Sequence, residues 1–258
     1  VKTWQKHSEN WNLLHSPLKP APSDVDHYKS LAGAGPVMMM GVTPELYDAF
    51  DFIVAFDRDQ AMIDRVWPGD TNKKGVVKSE WMNIELVPGE WQAIVGDCAL
   101  PMLGDLADMA EFQRRCMAWL QPGGVFVQRL FERPVIPYTR DDLLRIAGAP
   151  AEINFHAFKW MMCMVLAEES GYVVKDADRL GLFNTLFPDR DALCAATGWT
   201  RKAVDTMDLY IDGTYSIAFC NRIEYFNIIP AGAVDIQFTH QDDYDLAEDC
   251  PIMSWKKP

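Results

Sequence analysis

Three acidic residues stand at or just after short apolar runs. Asp57 follows Phe52 to Phe56, Glu80 follows Gly75 to Ser79, and Asp97 comes two residues after Trp91 to Val95. A glycine, Gly41, closes a fourth such run, Pro36 to Met40. A carboxylate at a strand end offers two acceptor oxygens, so Asp57 suits a pair of neighbouring hydroxyls. Glu80 can accept from an amine, and Trp81 beside it offers a wide face for stacking. Gly41 lets backbone pass close to a ligand. Thr43 is an N-cap with Pro44 at the first helical position, and the N–H groups behind them suit an anionic group. Taken singly, these are also a turn glycine, a capping residue and solvated acids; their joint placement at strand ends is what points to a binding site.

Two further side chains are candidates for chemistry. Cys98 adjoins Asp97, but no histidine lies near it in sequence to activate a thiol. His156 sits in Asn154-Phe155-His156-Ala157-Phe158 on an apolar helix, where a lone histidine is more often packed than reactive. The six cysteines form no C-x-x-C pair and no zinc spacing with histidine, so they read as reduced, mostly buried thiols, and no metal site is expected.

The elements that must position these residues alternate. Strands over Pro36 to Met40, Phe52 to Phe56, Gly75 to Ser79, Trp91 to Val95 and Gly124 to Leu130 are separated by helices over Gln60 to Trp67 and Asp105 to Leu120. That order predicts an α/β fold, doubly wound on a mostly parallel sheet. In such sheets ligands bind outside the carboxyl ends of the strands, where Gly41, Asp57, Glu80 and Asp97 fall. Before the sheet, Trp4, His7, Trp11 and Leu14 recur at helical spacing. Ser23-Asp24 reads as the cap of a second helix, with Asp26 as its third residue. Residues 1–35 are therefore expected to form a helical lid over a main domain of residues 36–258. Helices over Arg140 to Ala147, Asn154 to Glu169 and Asp189 to Thr197 make residues 134–198 an insertion on the substrate side. Asp212-Gly213, between Lys202 to Ile211 and Thr214 to Ile228, signals an antiparallel C-terminal hairpin closing the sheet. Residues 230–258 form an acidic tail of unassigned structure.

The strings PVMMMGVTPEL and FIVAFDRDQAMI, then VVKSEWMNIEL, WQAIVGDCAL and AWLQPGGVFVQRLF, resemble class I, Rossmann-like S-adenosylmethionine-dependent methyltransferases. They are similar in particular to a branch whose first loop reads G-V-T-P-E. The resemblance covers Pro36 to Phe131 and is weaker over Trp4 to Gly35. It implies S-adenosylmethionine as cofactor, held by Gly41, Thr43, Asp57, Arg58, Glu80, Trp81, Asp97 and Cys98. Asp57 would take the ribose hydroxyls and Glu80 with Trp81 the adenine. Asp97 would face the transferred methyl and orient the substrate or act as base. His156 is the second catalytic candidate and Tyr28 a third base candidate. The first loop carries one glycine where most of the superfamily has G-x-G-x-G. That departure motivates an alternative: a catalytically inactive, methyltransferase-like binding or regulatory protein. A nicotinamide-dependent enzyme is disfavoured because G-x-G-x-x-G is missing after the first strand.

The net charge of −13, with scattered Lys and Arg, argues against a nucleic-acid partner and leaves a small-molecule substrate. The apolar runs are too short to span a bilayer, and no signal-like start is evident, so no membrane association and a cytoplasmic location are expected. A homo-oligomer is compatible with this composition.

Overall fold

The computed structural model describes residues 3–258. The elements in chain order are α1 (Thr3–Glu9), α2 (Pro22–Ala32), β1 (Val37–Met40), α3 (Pro44–Tyr47), β2 (Ile53–Asp57), α4 (Gln60–Val66), β3 (Lys74–Lys78), β4 (Trp91–Asp97), α5 (Leu106–Trp119) and β5 (Leu120–Arg129). After these come α6 (Arg140–Ala147), α7 (Phe155–Ser170), β6 (Val173–Lys175), α8 (Asp176–Leu186), α9 (Arg190–Thr197), α10 (Arg201–Val204), β7 (Ser216–Ala218), α11 (Arg222–Asn227), β8 (Val234–Thr239) and β9 (Ile252–Lys256).

Seven strands form one sheet in the order β3-β2-β1-β4-β5-β9-β8. The β1–β2, β1–β4, β2–β3 and β4–β5 pairs are parallel, and β9 is antiparallel to both β5 and β8. The fold is therefore α/β with a mostly parallel sheet and one reversed strand. Period-two alternation explains how β1 serves two cores at once. Val37 and Met39 face the layer that holds Tyr28, Leu46 and Met62, whereas Met38 and Met40 face Phe112, Cys116 and Trp255. All four β1 residues are buried, as a strand covered on both faces requires. A third core forms around α7, whose residues Phe155 through Ala167 are all buried.

The antiparallel closure exists, but not where Asp212-Gly213 placed it. The segment before that dipeptide is α10 and a 3-10 helix over Asp205–Tyr210, and only Ser216–Ala218 of the following segment is strand, paired with β6 in a separate two-stranded sheet. The closing pair is β8 and β9, within the acidic tail. Asp212, at φ +58, carries the turn, whereas Gly213 answers a packing demand. A Cβ on Gly213 would stand 2.3 Å from Asp176 Oδ2.

The second helix begins two residues earlier than its cap suggested. Pro22 takes the first helical position, so the third-position acid is Asp24, whose Oδ2 accepts from Ala21 N at 2.9 Å. On this helix Tyr28 and Ala32 are wholly buried among sheet residues. The first helix stops at Glu9 and a 3-10 turn over Trp11–Leu13 follows. No helix among the described residues is long and apolar enough to cross a membrane.

Candidate functional site

The sheet order reverses between β1 and β4, which opens a crevice at their carboxyl ends. Gly41 leaves β1 at φ +79, a left-handed backbone that a side chain would strain, and its N–H donates to Phe56 O at 2.8 Å. Asp57 ends β2. Its Oδ1 accepts from Asp59 N at 2.8 Å and its Oδ2 from Val42 N at 3.2 Å, so one carboxylate ties the first two loops together. Each oxygen keeps a further lone pair for a ligand hydroxyl. Burial pushes the Asp57 carboxyl up to about 6, partly offset by the Asp59 and Val42 N–H groups. Beside it, Arg58 Nη1 lies 3.3 Å from Glu80 Oε2 in an ion pair open to solvent, which a ligand can displace at little cost. The Trp81 indole donates to Phe56 O at 2.6 Å, and its Cζ2 stands 3.7 Å from the place a Gly41 Cβ would occupy.

Asp97, at the end of β4, rests on a buried charge. Its Oδ1 accepts from Arg129 Nε at 2.6 Å, and the Arg129 side chain is wholly inaccessible. Asp24 approaches the same guanidinium at 3.9 Å, and Arg129 Nη1 donates to Tyr244 OH at 3.5 Å. Burial raises the carboxyls of Asp97 and Asp24, and Arg129 opposes that rise in both. Tyr28 is a tie, not a base. Its hydroxyl donates to Gly96 O at 2.6 Å and accepts from Arg129 N at 2.7 Å, with no exposure at all. Cys98 takes φ +52, and its N–H donates to Arg129 O at 2.9 Å. Burial holds its thiol well above the usual range, which works against a thiolate there.

The strand ends open on one cleft of about 1340 Å³, its open mouth included. Gly41, Thr43, Asp57, Arg58, Glu80, Trp81, Asp97 and Cys98 are all brought to it. The expectation of an anion-binding helix start does not survive. The helix after Thr43 has four residues and opens on a proline, Thr43 makes no side-chain cap, and Val42 N is spent on Asp57.

His156 is not brought to the cleft. Its Nε2 pairs with Leu13 O at 2.9 Å, its Nδ1 has no partner among the described residues, and the residue is 2% exposed. Burial, with the nearby Lys159 charge, lowers its pKa to about 3. Its contact ties the start of α7 to the turn after α1.

Another part of the cleft lining joins side chains of the N-terminal segment to others that the sequence did not single out. Trp4, His7 and Trp11 come from α1 and the 3-10 turn, with His7 5.6 Å from the Tyr210 ring. Asp176 and Arg179 come from the start of α8, while Tyr210 and Tyr215 flank the Asp212-Gly213 turn. The Tyr215 ring lies 5.0 Å from the Arg58 guanidinium, beside the loop after β2. The helical spacing of Trp4, His7 and Trp11 was a visible signal. No local pattern marks Arg179 or Tyr215, because both reach the cleft through tertiary packing.

No protein-family model matches the sequence, and no curated protein matches it. Solved structures resemble its fold. A Rhodobacter sphaeroides protein described as a zinc-dependent alcohol dehydrogenase superposes with TM-score 0.62 at 10% identity, covering 99% of this chain and 97% of that one. The CcbJ methyltransferase of Streptomyces caelestis gives TM-score 0.58 at 13% identity, over 99% of this chain and 97% of that one. A Nostoc punctiforme protein described as an O-methyltransferase gives 0.52 at 9% identity, over 98% of this chain and 60% of that one. At such identities the likeness concerns the fold alone, and their different names show why activity must be argued from the site. Among the described residues no group of three or more His, Cys, Asp or Glu could hold a metal ion.

Proposed function

We propose that this chain is an S-adenosylmethionine-dependent methyltransferase of the G-V-T-P-E branch, acting on a small molecule. The observation that carries the reading is the convergence of Gly41, Asp57, Glu80 and Asp97, from four adjacent strand ends, on one cleft. The residues fit the cofactor. Gly41 leaves the space beside Asp57 open, and the nearest atoms to a Cβ there stand 3.7 Å away. Asp57 has lone pairs left for two ribose hydroxyls, Glu80 an acceptor for an exocyclic amine, and Trp81 a ring face for adenine. Asp97, fixed by Arg129, would lie with Cys98 at the methionine end.

When bound, the cofactor supplies a methyl group on a sulfonium, which leaves as a neutral thioether. The protein's task is then alignment and exclusion of water more than charge stabilisation. Trp4, Trp11 and Phe131 wall the cleft against solvent. An acceptor that retains its proton needs a base, and His7 or Asp97 is placed on the cleft for that work, whereas His156 is not.

Titration calorimetry with S-adenosylmethionine and with NAD tests the reading. Binding of the first, abolished by Asp57→Ala, is the expected result. Preference for NAD, or binding indifferent to Asp57→Ala, would overturn it. The alternative of a non-catalytic binding domain draws on the single-glycine loop and on Trp81 standing beside it. Absence of heat with S-adenosylmethionine would favour that reading.

A further inference from the structure

The wall of the cleft facing the strand ends contains two buried N–H donors with nothing to donate to. Trp160 Nε1 and Arg179 Nε have no hydrogen-bond partner among the described residues. Trp160 is 6% exposed and Arg179 3%, and both line the cleft. Leaving one buried donor unmade is costly, and two in one site is unusual unless something else accepts from them. The guanidinium is held in place by stacking, 5.1 Å from the Trp160 ring and 4.3 Å from the Tyr210 ring. Asp176 stands 3.9 Å from Arg179 Nη1 in a buried ion pair, which leaves Arg179 Nε still without an acceptor.

Lys159 is wholly buried near this wall and does not line the cleft. Lys159 Nζ lies 5.3 Å from the Tyr210 ring, and donates to Thr206 Oγ1 at 3.1 Å. Burial first, and the Arg179 charge second, bring its pKa down to about 7. Both basic groups therefore lie against the Tyr210 ring. Phe131, its ring 4.6 Å from that of Trp160, supplies apolar surface beside the donors.

We propose that this wall is the acceptor subsite, and that it takes a small carboxylate with a planar or apolar body, its oxygens accepting from Arg179 Nε and Trp160 Nε1. The proposal rests on the methyltransferase reading of the cleft, but it can fail separately from it. Ligand-observed NMR with benzoate and 3-phenylpropionate, each beside its neutral primary amide, provides the test, with and without S-adenosylhomocysteine. The carboxylates are expected to bind, with the amides at least about tenfold weaker. Trp160→Phe, which keeps the ring and removes the N–H, and Arg179→Gln should each weaken carboxylate binding by about tenfold. S-adenosylmethionine affinity should remain in both. Trp160→Phe keeps the test meaningful if Arg179→Gln does not fold. Equal binding of acid and amide, indifference to Trp160→Phe, or no carboxylate binding at millimolar concentration would overturn the proposal, as when water alone occupies the donors. Carboxylate binding without any S-adenosylmethionine binding would instead sink the cofactor reading and leave this subsite standing.

Discussion

Replacing Arg129 with methionine removes the cation that supports Asp97 while keeping much of the side-chain bulk. Arg129 is inaccessible, and the side chains of Asp97 and Asp24 are 5% and 1% exposed, so the substitution strands two acids away from water. Breaking a buried pair by deleting one partner costs about 3–5 kcal/mol. For a chain of this size that corresponds to a Tm lower by about 6–20 °C. The loss has a pH signature. Burial already holds both carboxyls above 3.8, and without Arg129 they must rise further. A folded state whose carboxyls have raised pKa values binds more protons than the unfolded chain, so lowering the pH favours it. The deficit of Arg129→Met is therefore greatest at pH 8 and narrows toward pH 5. Urea unfolding followed by tryptophan fluorescence, repeated across that range, measures it. A loss below about 1 kcal/mol, or one that does not change with pH, would refute the claim that Arg129 compensates buried carboxylates.

Tyr28→Phe leaves Gly96 O and Arg129 N without their shared hydroxyl and should destabilise the fold by about 1–3 kcal/mol in the same assay. Because burial pushes Asp57 up to about 6, the proposed S-adenosylmethionine binding should weaken as pH falls through that value, when protonation removes an acceptor assigned to the ribose in that proposal; calorimetry between pH 5 and 8 reads this. Gly41→Ala forces a side chain into φ +79 and should cost about 1–2 kcal/mol of stability, along with loss of cofactor affinity. His156, held near 3 against an ordinary 6.5, takes fewer protons folded than unfolded between those values, so it destabilises the fold progressively as pH drops below 6.5. His156→Gln should flatten that part of the pH–stability profile, seen by thermal melts at pH 4 to 7.

The sheet was legible because its strands are short apolar runs ended by glycine or acid, and burial on both faces writes itself into sequence as an unbroken run such as Val37–Met40. The strand-end residues were legible for the same reason, since a strand's end fixes where its last side chain stands. What resisted reading depended on contacts between distant segments. Gly213 signals a turn in isolation, and only the fold shows that it makes room for Asp176. The acidic tail lacked a recognisable partner until β9 lay beside β5. His156 and His7 share a residue type and differ only in which way the packed helices face them, which no local spacing encodes.

The position of β9 bears on the order in which the molecule can assemble. Among the sheet strands it is synthesised after all its neighbours, yet it fills an interior slot, between β5 and β8. The connection that leads into it carries Tyr244 and Asp245, which bond to Asp24 of α2 and to Asn154 at the start of α7. Until that stretch arrives, β5 presents an unpaired edge, and the N-terminal and inserted helices lack a common fastening. Such late, long-range closure slows folding and lengthens the time a sticky strand edge is exposed. A nascent chain stalled before Ile252 should therefore be a chaperone client and prone to association, however complete the loops at its parallel strand ends already are.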